Sequence, residues 1–168
     1  MDDRLSLLKK QLLELKLKHL AAHLDEVLMA ASCSDKPYAE ILQEFLDVEI
    51  CQRRAARMTR RLRQANFPTF DTPLDLDYYD FALRTGVSKR QITELTSNFL
   101  WIEKAYNILF FGGSGLGKSF LASFIGYKAI EAGYDVFFLT LHNLMHLLKT
   151  EQALSRSRSK LKLLRACD

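Results

Sequence analysis

The chain has 168 residues, of which 48% are hydrophobic and 26% charged, and its formal net charge is +4. This balance is typical of a globular protein and excludes a disordered chain. No apolar run approaches the roughly 20 residues of a bilayer span, and the acidic N-terminus is unlike a secretory signal. Three scattered cysteines, Cys33, Cys51 and Cys167, lack CxxC spacing and favour thiols in a reducing compartment. We therefore predict a cytoplasmic protein without a membrane segment.

The N-terminal third is predicted to be helical. Leucines at three- and four-residue steps predict an amphipathic helix over residues 4–31, broken once near Ala21. Asp35 and Pro37 then suit the start of a second helix from about Tyr38 to Gln64. Two amphipathic helices joined by a short linker favour an antiparallel hairpin.

The second half of the second helix is strongly basic. Its six arginines between positions 53 and 63 are Arg53, Arg54, Arg57, Arg60, Arg61 and Arg63. Such a cluster can neutralise DNA phosphates and make binding depend steeply on salt. A solvated helix face, or pairing with the aspartates of residues 71–80, explains the same cluster equally well.

A domain boundary is predicted where two prolines and exposed-looking aromatics interrupt the helical pattern, at residues 66–73. We assign residues 1–66 to an N-terminal helical domain with a basic second helix. Residues 67–106 form a linker and lead-in helix, for which Ser88 and Gln91 supply a capping box.

The most informative segment is residues 112–119, which fit the phosphate-binding pattern GxxxxGK[ST]. Its members are Gly112, Gly113, Ser114, Gly115, Leu116, Gly117, Lys118 and Ser119. The glycines allow a tight backbone that turns N–H groups toward a phosphate, Lys118 can reach the β- and γ-phosphates, and the Ser119 hydroxyl can ligate Mg²⁺. A glycine-rich turn without a ligand is the alternative.

The sequence on either side of this loop predicts a strand–loop–helix–strand unit. Residues 107–111 form an apolar run typical of a buried strand, and a helix should extend from Phe120 to Ala132, ending at Gly133. Residues 134–140 predict a second strand, which implies a right-handed βαβ unit in a parallel sheet. The fold class is therefore α/β, with a further helix from Leu141 to Leu154. The basic tract that follows, residues 155–160, favours a solvated loop or a helix start over a phosphate contact.

A complete NTPase site needs more than this loop. An acidic residue at the end of a neighbouring strand normally holds Mg²⁺, and an arginine often completes the site. Nothing after Ser119 fits that acidic strand, since Asp135 opens its strand instead of closing it. We expect a truncated polypeptide that ends before its Walker B strand.

Taken together, these motifs give the chain a family resemblance. Four motifs flank the P-loop, three before it and one after it. They are the arginine run before Phe67-Pro68, the acidic-aromatic stretch 74–81, the Trp101-Ile102-Glu103 approach and the Gly133-Tyr134 turn. The chain resembles the IstB-type helper ATPases of bacterial insertion-sequence transposition. These are relatives of the DnaC-type helicase loaders in the AAA+ superfamily.

The resemblance implies an N-terminal helical domain followed by a partial P-loop AAA+ core, residues 107–168, lacking Walker B. It implies ATP and Mg²⁺ as cofactors, an IstA-like transposase and double-stranded DNA as partners, and a homo-oligomer at full length. Only residues 112–119 carry over as nucleotide contacts, and hydrolysis does not carry over. The alternatives are a DnaC-like helicase loader and a non-catalytic interaction module that binds only nucleotide or DNA.

Two further groups of residues have weaker interpretations. His19, His23, His142 and His146 form two i, i+4 pairs without a third ligand, so ordinary histidines are favoured over a metal site. Trp101 and Tyr106 precede the first predicted strand and could approach an adenine base, but core packing is favoured for both.

Overall fold

The structure is a computed structural model, and it describes residues 2–33, 36–82 and 86–167. Its contacts divide the chain into two units: an N-terminal unit, Met1–Arg57, and a C-terminal unit, Met58–Asp168. The predicted domain limits at 66 and 106 stay predictions. None of the described helices combines the length and apolarity needed to cross a bilayer.

The N-terminal unit contains helices α1 (Asp2–Glu14) and α2 (Lys18–Ser32) and the first part of α3 (Tyr38–Ala65). The predicted break near Ala21 is wrong, because Ala21 lies inside α2 and is buried. The chain breaks at Lys16 instead, where φ is +60°. The amide of Leu17 donates back to the Leu12 carbonyl at 2.8 Å, which closes α1 without needing a glycine.

Within this unit α1 and α2 pack against each other, and Lys9 Nζ binds Asp25 Oδ2 at 2.6 Å between them. The first predicted helix is therefore a pair of packed helices, and the antiparallel hairpin predicted between the two long helices stays a prediction. α3 begins at Tyr38 as expected, directly after Pro37, while the predicted cap Asp35 lies outside the described residues. α3 contacts α2 through Glu49, whose carboxylate accepts the Leu20 amide at 2.9 Å.

The C-terminal unit is built from short helices around one long apolar helix. After the last part of α3 come a 3₁₀ turn (Leu76–Tyr78), α4 (Lys89–Ser97), α5 (Leu100–Glu103), α6 (Lys118–Ala132), α7 (Leu141–Lys149) and α8 (Ser155–Arg165). The capping box of Ser88 and Gln91 and the end of α6 at Gly133 are confirmed. α7 ends at Lys149, short of the predicted Leu154, and the basic tract 155–160 is the start of α8.

Helix α6 forms the centre of this unit's core. Its buried side chains Phe120, Leu121, Phe124 and Ile125 pack with Leu76, Tyr79 and Ile92 from the preceding segments. Phe67 and Val136 approach α6 closely at Gly126. A Cβ at this position would lie 3.0 Å from Phe67 Cε1 and 3.2 Å from Val136 Cγ1. A glycine at this position therefore allows both residues to rest on the helix.

The parallel sheet predicted from the sequence is not confirmed. Residues 107–111 and 134–140 carry no strand, and no strand occurs among the residues that the structure describes. A strand exists only through a ladder of hydrogen bonds to a neighbour. The Phe138 amide, by contrast, donates to the Ala65 carbonyl at the end of α3, at 2.7 Å. The apolar runs are where the sequence places them, but the described chain supplies no ladder between them.

Candidate phosphate-binding site

Residues 112–117 form an exposed to half-buried loop that leads directly into α6. Gly115 has φ of +77° and Gly117 has φ of +76°, in the left-handed region that side chains disfavour. Gly117 is also the N-cap residue of α6, and its carbonyl accepts the Leu121 amide at 2.9 Å. The motif's glycines are thus placed where the backbone has to turn into the helix.

Lys118 is the first residue of α6, and its side chain folds back over the loop. Its Nζ donates to the carbonyl oxygen of Gly112 at 3.0 Å and to that of Gly113. The ammonium group therefore sits beside the loop backbone, where a phosphate group would offer stronger acceptors than two neutral carbonyls. This placement fits the role predicted for Lys118.

The N-terminus of α6 supplies further groups for an anion. The first amides of a helix have no acceptor within it, and the helix dipole places partial positive charge there. Ser119 lies in this first turn and is exposed, as are Gly112, Gly113, Ser114, Gly115 and Leu116 in the loop. Loop, lysine, serine and helix start therefore come together in the order that phosphate binding requires.

One loop contact comes from a residue that the sequence analysis did not single out. The hydroxyl of Tyr79, just after the 3₁₀ turn, donates to the Leu116 carbonyl at 2.9 Å. Tyr79 is buried and belongs to the same core cluster as Phe120 of α6. The sequence signal was weak, because Tyr79 is one aromatic of several in the acidic-aromatic stretch 74–81.

A cavity of about 530 Å³ lies between the two apolar segments and α6. Trp101, Tyr106, Ile108, Ile125, Val136 and Phe137 are among its lining residues, and none of its described lining residues belongs to the loop 112–119. Trp101 packs on the core cluster and donates from Nε1 to the Leu95 carbonyl at 3.0 Å, in line with the favoured packing role. Tyr106 is 64% exposed, so core packing does not describe it.

The structure separates the six arginines into two groups. Arg53 pairs with Glu49 at 2.7 Å and donates to the Lys16 carbonyl, and Arg61 pairs with Asp135 at 2.8 Å. The other four are exposed and form no ion pair with any described residue: Arg54, Arg57, Arg60 and Arg63. The alternative of pairing with the aspartates of residues 71–80 finds no ion pair among the described residues, and the two paired arginines bind Glu49 and Asp135 instead.

The two histidine pairs lie on helices α2 and α7. No group of three potential ligands from His, Cys, Asp and Glu occurs in the described part of the chain. His23 instead contacts Glu26, with 3.0 Å between Nδ1 and Oε2.

The sequence of this chain is similar to proteins that are named for ATP binding. The family model described as IstB-like ATP binding protein matches residues 10–168. A protein of Bacteroides fragilis strain YCH46, named for ATP binding in an IS21-like insertion sequence, is 40% identical over 86% of this chain and 72% of its own length. A second B. fragilis protein of the same description is 36% identical over 86% of this chain and 55% of its own length.

A Pseudomonas aeruginosa protein named for ATP binding in insertion sequence IS21 is 33% identical over 88% of this chain and 55% of its own length. The chain thus spans between about half and three-quarters of these relatives. Because the family model covers residues 10–168, nearly the whole sequence, the chain belongs to the family of IstB-like ATP-binding proteins.

Proposed function

We propose that this chain binds Mg·ATP through residues 112–119 and assists an IstA-like transposase on double-stranded target DNA. The loop itself carries the proposal. Gly115 and Gly117 have left-handed φ, and Lys118 folds its ammonium onto the loop at the start of α6. The relatives' names, which refer to ATP binding, support ATP as the ligand.

Nucleotide binding is tested with a fluorescent ATP analogue and Mg²⁺. Lys118→Ala removes a charged hydrogen bond, which contributes about 1.5–3 kcal/mol, so affinity should fall roughly ten- to hundredfold. Lys128→Ala is the matched control, because Lys128 lies on the same helix and pairs with Glu131 away from the loop. Equal affinity in wild type and Lys118→Ala would rule out the proposed site.

Ser119 is proposed to hold the magnesium ion. Its hydroxyl lies one residue after Lys118, in the exposed first turn of α6. In Ser119→Ala the gain in ATP affinity on adding Mg²⁺ should shrink, while affinity without Mg²⁺ stays the same. Ser114→Ala, in the same loop, is the control, and an undiminished Mg²⁺ effect in Ser119→Ala would assign the metal elsewhere.

The relatives' names favour transposition over helicase loading. Those described above refer to insertion sequences, as do those from Geobacillus stearothermophilus and Bacillus thuringiensis. A pulldown that offers a transposase and a replicative helicase side by side separates the two. Retention of the helicase alone would favour the loader alternative.

DNA contact is proposed for the exposed arginines of α3. Each phosphate neutralised contributes about 0.9 to the slope of log affinity against log salt. Arg54→Ala and Arg57→Ala should each lower that slope, and so should Arg60→Ala and Arg63→Ala. Arg61→Ala is a useful control, because Arg61 is 22% exposed in its pair with Asp135. An equal slope in all variants would leave these arginines as a solvated face.

We also propose that residues 107–111 and 134–140 act as strands of a parallel sheet in a polypeptide of the relatives' length. Two observations support this. Ile108 and Phe110 are half-buried while Leu109 and Phe111 are 73% and 86% exposed, an alternation typical of extended chain. Both segments line the 530 Å³ cavity on α6, which leaves room for further chain. We expect the Leu109 amide to exchange slowly in a longer homologue and fast in this chain.

Homo-oligomer formation and ATP hydrolysis belong to the same proposal, for a polypeptide of that length in the cytoplasm. An ATP-hydrolysing site needs groups beyond the loop, notably an acidic residue for Mg²⁺ and an arginine, which a neighbouring subunit can supply. Light scattering with and without ATP, beside a steady-state ATPase assay, tests both. ATP turnover by this chain that disappears in Lys118→Ala would exclude the non-catalytic alternative.

A further inference from the structure

The Tyr79 hydroxyl forms a hydrogen bond to a backbone carbonyl of the phosphate-binding loop. It donates to the Leu116 oxygen at 2.9 Å, two residues before Lys118. Leu116 is 42% exposed, and carbonyls of exposed loops are commonly hydrogen-bonded by water. A tyrosine in place of water holds the carbonyl in one fixed direction, which suggests a role in shaping the loop.

The Tyr79 ring cannot easily move away from this position. It is 7% exposed, stacks on Phe120 with ring centroids 6.0 Å apart, and contacts Phe81 at 4.6 Å. A side chain fixed by packing presents its polar group with little loss of entropy. The hydroxyl is therefore preorganised against the loop.

The turn that carries Tyr79 is fixed as well. The Asp75 side chain accepts the Asp77 amide at 3.1 Å, and Lys89 at the start of α4 binds the Asp77 carboxylate at 2.7 Å. Leu76 is buried in the same core cluster. The loop contact thus belongs to a braced segment and does not depend on a flexible surface side chain.

The geometry of the peptide bond links the Leu116 carbonyl to the amide of the next residue. In a trans peptide the C=O of one residue and the N–H of the next point in opposite directions, and no cis peptide occurs in the described chain. Holding the Leu116 carbonyl on one side therefore sets the direction of the Gly117 N–H on the other. We propose that Tyr79 is a positioning residue of the nucleotide site, which orients the Gly117 amide as a hydrogen-bond donor to the polyphosphate.

This inference rests on the proposed function, since it assigns a role within the same site. The simpler reading of Tyr79 is a core aromatic whose hydroxyl finds a convenient acceptor. Tyr79→Phe distinguishes the two, because it keeps the ring in the core and removes only the hydroxyl. Tyr78→Phe is the matched control, since the side chain of Tyr78 is 58% exposed and makes no hydrogen bond to the loop among the described contacts.

The first measurement is affinity for the fluorescent ATP analogue. Loss of one hydrogen bond that positions a donor should weaken binding by about three- to tenfold in Tyr79→Phe. Tyr78→Phe should bind like wild type. Equal affinity in Tyr79→Phe and wild type would overturn the inference.

The second measurement is amide hydrogen exchange without nucleotide. Tyr79→Phe should accelerate exchange in peptides covering residues 112–119 and leave peptides from the middle of α6 unchanged. Acceleration across the whole C-terminal unit would mean a structural role and would overturn the inference. If wild type fails to bind ATP at all, the proposed function fails, while unchanged loop exchange in Tyr79→Phe would separately show that the hydroxyl does not hold the loop.

Discussion

The two units of this chain are stabilised in different ways. In the N-terminal unit the buried side chains described are Leu20, Ala21, Leu24 and the carboxylate of Glu49. Leu15 and Met29 there are 70% and 72% exposed. The C-terminal unit instead buries a continuous cluster of aromatic and aliphatic side chains around α6.

This difference predicts where each unit is vulnerable. A core of apolar side chains depends on shape and volume, and its contribution changes little with pH. A unit whose few buried groups include a charged carboxylate depends also on the hydrogen bonds and the protonation of that group. The C-terminal unit should therefore be sensitive to the loss of side-chain volume in its core. The N-terminal unit should be sensitive to the loss or protonation of its buried carboxylate.

The largest effect is expected in the core of the C-terminal unit. Leu121 is 2% exposed, and Leu121→Ala should lower the free energy of unfolding by about 2–5 kcal/mol. Leu109→Ala, at a side chain that is 73% exposed, should change it by less than about 0.5 kcal/mol. Chemical denaturation followed by the fluorescence of Trp101, the single tryptophan, measures both. Equal costs at the two positions would mean that the apolar cluster is not the core.

The second prediction concerns Glu49 in the N-terminal unit. Glu49→Leu leaves the Leu20 amide without its acceptor and Arg53 without its carboxylate partner, and should cost about 1–3 kcal/mol. Glu44→Leu, at an exposed carboxylate paired with Lys36, should cost less than about 1 kcal/mol. Hydrogen exchange of peptides from α2 reports on this unit separately from Trp101.

Glu49 should also make the N-terminal unit sensitive to acid. Burial acts to raise the pKa of this carboxyl, but the amide of Leu20 and the guanidinium of Arg53 outweigh it, so its pKa lies below the ordinary 4.5. The folded state then holds the proton less tightly than the unfolded state. Its stabilising contribution is present above pH 4.5 and is lost as pH falls through the lowered pKa. Exchange in α2 that accelerates in this range for wild type, and not for Glu49→Leu, is the expected result.

Much of the C-terminal unit could be predicted because its signals are local. The capping box at Ser88, the end of α6 at Gly133 and the loop before Lys118 each depend on residues within one turn of one another. The N-terminal break was misplaced because Lys16 adopts a positive φ, which glycine signals do not reveal.

The remaining differences come from contacts between distant residues. The strands at 107–111 and 134–140 need ladder partners, so an apolar pattern alone cannot establish them. Arg61 finds Asp135, which is 74 residues away, and Tyr79 reaches Leu116 across 37 residues. Composition and periodicity contain no information about such pairs.

The fourth prediction compares two glycines of the loop 112–119. Gly117 has φ of +76°, where a side chain costs about 1–2 kcal/mol, so Gly117→Ala should destabilise the start of α6 and weaken ATP binding. Gly113 lacks a positive φ, and a Cβ there would meet Leu116 Cδ1 at an ordinary 3.8 Å. Gly113→Ala should therefore leave the unfolding free energy nearly unchanged. Thermal unfolding of the two variants side by side measures the difference, and a cost shared by both would point to the loss of glycine in general.

The smallest effect is expected at Ser123, a buried polar group in the otherwise apolar core. Its Oγ has no hydrogen-bond partner among the described residues, in contrast to Glu49, so the unmade hydrogen bond already lowers stability. Ser123→Ala should raise the free energy of unfolding by up to about 1 kcal/mol. Ser157→Ala should lower it by a similar amount, because the buried Ser157 hydroxyl is bonded to Thr150 Oγ1 at 2.8 Å. Opposite signs from the same substitution would show that pairing, and not burial of a hydroxyl as such, decides the energy, whereas a loss at both positions would mean that Ser123 has a partner.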